Sequence, residues 1–178
     1  NPPTFTIMEW KPKNAVNTQP ILLVGKGVVY DTGGLSLKPT PNSMDSMKCD
    51  MGGAAAVIGA ITATAKAKLP VHVIALVPST DNAISATAYG PGDVIRMHSG
   101  LTVENLNSDA EGRIILADAL SYGERYDAET VVTVATLTGA AVRAIGTHAT
   151  VTMGTAPQEQ FDRLQAAADA TFERVAPM

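Results

Sequence analysis

The run Ile21-Leu22-Leu23-Val24-Gly25-Lys26-Gly27 sets the fold class: four consecutive apolar residues end in a lysine flanked by glycines. A short apolar run closed by glycine reads as a buried strand that meets a loop at its C-terminal end. Downstream, Val28 to Asp31 extends this strand until Gly33-Gly34 breaks it. Upstream, residues 1–20 hold Pro2, Pro3, Pro12 and Pro20, which predicts irregular chain or an edge strand.

The pattern then repeats. Residues 38–47 (KPTPNSMDSM) are rich in turn formers, and Asp50 suits the N-cap of a helix over 51–68, where Gly52, Gly53 and several alanines allow close packing. Pro70 stops that helix, and Val71 to Val77 (VHVIALV) is the next buried strand. Residues 80–100 read as loop, punctuated by Gly90-Pro91-Gly92, and Leu101 to Leu106 as a short strand. From Asp109 to Tyr126, Ile114, Ile115, Leu116, Leu120 and Tyr122 suit a helix packed on a sheet. Thr130 to Leu137 (TVVTVATL) is a β-branched, apolar strand. A short helix to Ile145, a strand over 147–153 and an amphipathic helix from Pro157, near its N1 position, to Arg174 complete the chain. This alternation predicts a three-layer α/β/α sandwich around a mixed, mainly parallel sheet.

Composition narrows the class. At 178 residues the chain fits one domain spanning 1–178. Aromatics are only 4% against 46% apolar residues, so aliphatic side chains build the core. A net charge of −4 and a pI near 5.3 argue against nucleic acid and anionic membrane partners, which reward clustered Lys and Arg. The single cysteine, Cys49, leaves no internal disulfide and fits a reducing, cytoplasmic setting. No stretch approaches the ~20 apolar residues of a membrane span. The first residue is Asn1 rather than Met, which reads as a piece of something longer.

The chemistry concentrates in Asn107-Ser108-Asp109-Ala110-Glu111-Gly112-Arg113. Two carboxylates and a guanidinium, each separated by one small residue, suit a site that grips cations and holds an anion. In sandwiches of this kind ligands gather where strands end and helices begin. Lys26, Asp31, Asp50, Asp109 and Glu111 all fall at such points. Asp109-x-Glu111 cannot share one helical face, so the two converge only if Asp109 keeps extended or cap geometry. Asp31, Asp50, Asp109 and Glu111 could together hold two divalent cations; oxygen ligation suits Mg²⁺ or Mn²⁺, and Zn²⁺ accepts it too. Paired ions can share a bridging water, lower its pKa and polarise a carbonyl or phosphoryl oxygen. Lys38 and Arg113 would then stabilise the charge that develops on attack. The competing reading makes these acids helix caps and surface ion pairs.

Three motifs in one order carry a resemblance. Asn107 to Arg113 resembles the NTDAEGR signature of the leucyl (cytosol) aminopeptidases, an M17-type di-metal family. Val24-Gly25-Lys26-Gly27, Asp31-Thr32-Gly33-Gly34, Lys38 and Met47-Lys48-Cys49-Asp50-Met51-Gly52-Gly53-Ala54 resemble the family's upstream block. Ala135-Thr136-Leu137-Thr138-Gly139-Ala140 is similar to its ATLTGA strand end. The resemblance covers about residues 20 to 150. It implies release of N-terminal residues from peptides, leucine and other apolar ones preferred, by two metal ions, Mn²⁺ or Zn²⁺. Lys26, Asp31, Asp50 and Glu111 would hold one ion. Asp31, Asp109 (with its backbone carbonyl) and Glu111 would hold the other. The catalytic pair would be Lys38, on the scissile carbonyl, and Arg113, which would hold a bicarbonate ion that relays a proton. Met47, Thr136 and Leu137 would contact the substrate. A cytoplasmic homo-hexamer is implied as well, with an N-terminal domain and the distal part of the catalytic domain outside this sequence. Tyr30 stands where Phe is commoner, and Ser108 where Thr is usual.

Other residues fit plainer roles. Cys49 reads as a buried structural thiol and His72 as a core or sheet-face residue. There is no HExxH, no GxxxxGK[ST], no GxGxxG and no GxSxG, which disfavours histidine-zinc proteases, nucleotide sites and serine hydrolases. An inactive assembly fragment and a metal-dependent phosphoesterase remain as alternative readings; a lysine ligand argues against the second.

Overall fold

The computed structural model describes residues 2–178. The chain divides into two compact units, 1–137 and 138–178. In chain order the first unit contains β1 (Thr4–Trp10), β2 (Ile21–Gly25), β3 (Gly27–Asp31), α1 (Gly52–Lys66), β4 (Val73–Asn82), β5 (Val94–Arg96), β6 (Thr102–Glu104), α2 (Glu111–Gly123) and β7 (Thr130–Val134). Short 3-10 turns cover Met44–Cys49, Ser108–Ala110 and Glu124–Tyr126.

The main sheet runs β1-β4-β2-β7, with β3 also paired to β4. β2, β3 and β7 all run parallel to their neighbours, and only β1 is antiparallel, along the edge of β4. The side-chain period of two sorts each strand onto two faces. Val73, Ala75 and Val77 of β4 pack with Ala54, Val57 and Ile61 of α1. The alternate residues Ile74 and Leu76 join Leu22 and Val24 of β2 against Leu116 and Ala119 of α2. One helix therefore covers each face, and the expected three-layer sandwich forms around a mixed, mainly parallel sheet. Close approach of α1 requires Gly53, where a Cβ would stand only 2.0 Å from the Val134 carbonyl oxygen.

Several boundaries differ from expectation, each for a physical reason. β3 does not continue β2 in the ladder: the break falls at Lys26, whose N–H donates to Val134 O while its carbonyl accepts from Ala54 N. β4 runs on to Asn82 through Pro78, so residues 80–82 are strand rather than loop. Pro78 falls between the part of β4 paired with β2 (73–76) and the part paired with β3 (79–82), where no bond to those strands needs its missing N–H. Asp50 does not cap α1; the N-cap is Met51, which makes no side-chain bond, and the Asp50 carboxylate turns inward to a buried lysine. A cap bond contributes about 1 kcal/mol, less than removing one partner from a buried ion pair costs.

The second unit holds α3 (Ala140–Ile145), β8 (Thr150–Thr152), α4 (Gln158–Thr171) and β9 (Val175–Pro177), with β8 and β9 parallel. Pro157 is the N-cap of α4 rather than its first helical residue, and α4 ends at Thr171, short of the expected Arg174, with β9 following. Among the described residues no helix is long and apolar enough to cross a membrane.

Candidate metal centre

Four segments of the first unit deliver the polar groups. The break after β2 supplies Lys26, the end of β3 supplies Asp31, the turn before α1 supplies Asp50, and the turn into α2 supplies Asp109 and Glu111. Lys26, Asp31, Asp50 and Glu111 are all buried. Asp109 lies in the 3-10 turn Ser108–Ala110, and Glu111 opens α2. The non-helical step between them lets both carboxylates converge, which one helical face would forbid. Asn107 holds the turn, its Oδ1 accepting from Asp109 N at 2.9 Å.

Ser108 locks this turn to the loop after β3. Fully buried, its hydroxyl donates to Gly33 O at 2.7 Å and accepts from Ser36 N at 2.7 Å, and its own N–H meets Ser36 Oγ at 3.1 Å. The hydroxyl common to Ser and Thr does this work, so Ser108 in place of Thr costs no bond.

Two ammonium groups face four carboxylates. Lys26 Nζ lies 2.9 Å from both Asp50 Oδ2 and Glu111 Oε1 and donates to Thr136 O at 3.0 Å. Lys38 Nζ lies 3.1 Å from Asp31 Oδ2 and 2.5 Å from Asp109 Oδ1. Burial alone would lower both lysine pKa values, but the paired carboxylates outweigh it and leave both raised. Burial pushes the Asp50 and Glu111 carboxyls up, against the pull of Lys26. Gly112 makes room: a Cβ there would stand 2.7 Å from Lys26 Cε and Nζ.

The donor set fits divalent cations. Asp31, Asp109 and Glu111 each offer an oxygen within 4.8 Å of the others. Asp50 Oδ2 and Asp109 Oδ1 are buried yet accept no hydrogen bond of good geometry, meeting only lysine charge. Hard carboxylate oxygens of this kind suit divalent cations.

The remaining expected residues lie nearby or outward. Thr136 Oγ1 donates to Asp50 Oδ1 at 2.8 Å. Leu137 is 44% exposed, Met47 is half-buried in its 3-10 turn, and Arg113 is exposed on the first turn of α2. Cys49 is exposed, not a buried thiol, because the 3-10 turn Met44–Cys49 buries none of its residues. His72 is buried and faces Glu9 at 2.8 Å, a sheet-edge pairing remote from the acids in sequence.

Asn82 was not anticipated. Its Nδ2 reaches Asp31 Oδ1 at 2.7 Å, Ser108 O at 3.0 Å and Glu111 Oε2 at 3.3 Å. Uncharged and placed beyond Pro78, it carries no charge pattern that would single it out. The length of β4 was the signal that could have found it.

Comparison with known proteins shows the family. The family model described as the cytosol aminopeptidase family, catalytic domain, matches residues 1–178. A probable cytosol aminopeptidase of Chlorobium limicola is 53% identical over 147 residues, 82% of this chain and 29% of that protein. The chain thus spans less than a third of the length of the curated relatives it matches first. The structure of a leucine aminopeptidase from Caenorhabditis elegans superposes with a TM-score of 0.92 at 41% identity, over 99% of this chain and 35% of that one. A cytosol aminopeptidase from Coxiella burnetii gives a TM-score of 0.90 at 36% identity, over 100% of this chain and 38% of that one. The chain therefore belongs to the cytosol aminopeptidase family, and what it contributes is catalytic-domain sequence.

Proposed function

We propose that this chain carries the two-metal centre of an aminopeptidase that removes N-terminal residues, preferentially leucine and other apolar ones, from peptides. The observation that supports the reading most is the convergence of Asp31, Asp109 and Glu111 within 4.8 Å, with a buried lysine on one side and a half-buried one on the other. In this reading Lys26, Asp31, Asp50 and Glu111 hold one ion, and Asp31, Asp109 and Glu111 the other. Bound divalent ions would supply Lewis acidity and an activated water.

The chain's own groups then have separate duties. Lys26 must be a neutral amine to donate a lone pair, and a nearby dication lowers an amine's pKa. Lys38, which reaches Asp31 and Asp109 from the half-buried side, stabilises negative charge on the scissile carbonyl oxygen as an ammonium. Arg113, two residues after Glu111 and open to solvent, offers a planar donor fork that matches bicarbonate. Met47, Thr136 and Leu137 contact the substrate residue, Leu137 offering exposed apolar surface to a leucine side chain. On the resemblance alone the proposal extends to a cytoplasmic hexamer.

Full-length protein supplied with Mn²⁺ or Zn²⁺ should hydrolyse leucine p-nitroanilide. Lys38→Ala should keep its metal and lose about 10²–10³ in turnover, the usual cost of one charge-stabilising donor. No hydrolysis with any divalent ion would overturn the reading.

A further inference from the structure

Asn82 ends β4 in register with Asp31 at the end of β3, so two side chains of opposite hydrogen-bonding character stand side by side. The side chain is buried, and its three neighbours, Asp31 Oδ1, Ser108 O and Glu111 Oε2, can only accept. That fixes the amide with its NH₂ toward them. The backbone is fastened separately, because Asn82 O accepts from both Thr32 N (2.9 Å) and Thr32 Oγ1 (2.7 Å). The side chain is therefore not needed to hold the end of the strand.

Its effect falls on the carboxylates. Asp31 Oδ1 already accepts from Gly33 N at 2.8 Å, and with Asn82 at 2.7 Å both of its in-plane positions are taken. Asp31 Oδ2 is left facing Lys38. On Glu111 the amide touches Oε2, which leaves Oε1 facing Lys26. With two N–H groups for three acceptors, the amide serves Asp31 Oδ1 and Ser108 O first and shares a proton with Glu111 Oε2 at 3.3 Å, so it orients Asp31 foremost without adding charge to a crowded anionic site.

We infer that Asn82 is a positioning residue of the metal centre, selecting Asp31 Oδ2 as the oxygen that meets the ions. This rests on the two-metal reading above. Partners that orient metal ligands typically contribute 10–100-fold to metal affinity.

The test is Mn²⁺ titration of the full-length protein by calorimetry, alongside thermal unfolding in EDTA. Asn82→Ala, or Asn82→Ser should the first not fold, is expected to bind Mn²⁺ 10–100-fold more weakly than wild type. Asn17→Ala, which removes two part-buried bonds to the His72 backbone far from the acids in sequence, serves as control; it should unfold at lower temperature with unchanged Mn²⁺ affinity. Affinity within twofold of wild type in both Asn82 variants overturns the positioning role and leaves the metal reading intact. Wild-type protein that binds neither Mn²⁺ nor Zn²⁺ overturns both. A crystal structure of the Mn²⁺-loaded wild type decides independently of variant folding. It should show Asn82 Nδ2 on Asp31 Oδ1 with Oδ2 on the ion, and Asn82 turned away or Oδ1 on the ion refutes the inference.

Discussion

Replacing Lys26 with methionine keeps the length of the side chain and removes its charge. Lys26 is 3% exposed, and its ammonium satisfies two buried carboxylates at 2.9 Å and the Thr136 carbonyl at 3.0 Å. Removing one member of a buried ion pair costs about 3–5 kcal/mol, because the partner charge stays buried and uncompensated. The cost should depend on pH, and the sign follows from the carboxylates. Asp50 and Glu111 already have raised pKa values, and losing Lys26 raises them further. A carboxyl raised in the folded state withdraws stability as pH climbs from its unfolded value through its folded one. The variant should therefore differ little from wild type in acid and most near neutrality. Thermal unfolding of full-length protein in EDTA at about pH 4, 5.5 and 7.5 measures this. A deficit below about 1 kcal/mol at neutral pH, or one that does not vary with pH, would refute the claim that Lys26 neutralises two buried carboxylates.

Two further expectations use the same geometry. Gly112→Ala should destabilise by about 1–3 kcal/mol, an overpacking cost, since its methyl would press on a lysine held by three partners and unable to swing aside; an unchanged Tm would show that Lys26 is not pinned against α2. Because bound cations must displace protons from Asp50 and Glu111, the rise in Tm produced by Mn²⁺ should grow as pH climbs above the ordinary carboxylate range and fade below it. A rise that is the same at acid and neutral pH would place the bound ion elsewhere.

The charged groups were legible in the sequence because each sits where a strand or turn ends. Lys26 follows an apolar run, Asp31 precedes Gly33-Gly34, and Asp109 and Glu111 precede an amphipathic helix. The alternation of apolar strands such as 21–24 and 71–77 with helices carried the three layers as well, while the sorting of Leu22, Val24, Ile74 and Leu76 onto one face is seen only in the structure. What the sequence hid depends on tertiary partners. Asp50 has the local features of an N-cap, and the buried ammonium of Lys26 and the Thr136 hydroxyl draw it inward. Asn82 lies past a proline that reads as a strand terminator until β2 and β3 divide β4 between them. Cys49 reads as a buried thiol by residue type, but the turn around it buries nothing.

The central claim is that Asp31, Asp109 and Glu111, with Lys26 and Asp50, hold two divalent ions. An anomalous-difference map from crystals of the full-length protein loaded with Mn²⁺ tests it most directly. Two peaks are expected, one between Asp109, Asp31 and Glu111 and one between Lys26, Asp50, Asp31 and Glu111. No peak among these residues, or peaks only at exposed acids elsewhere, would contradict the account.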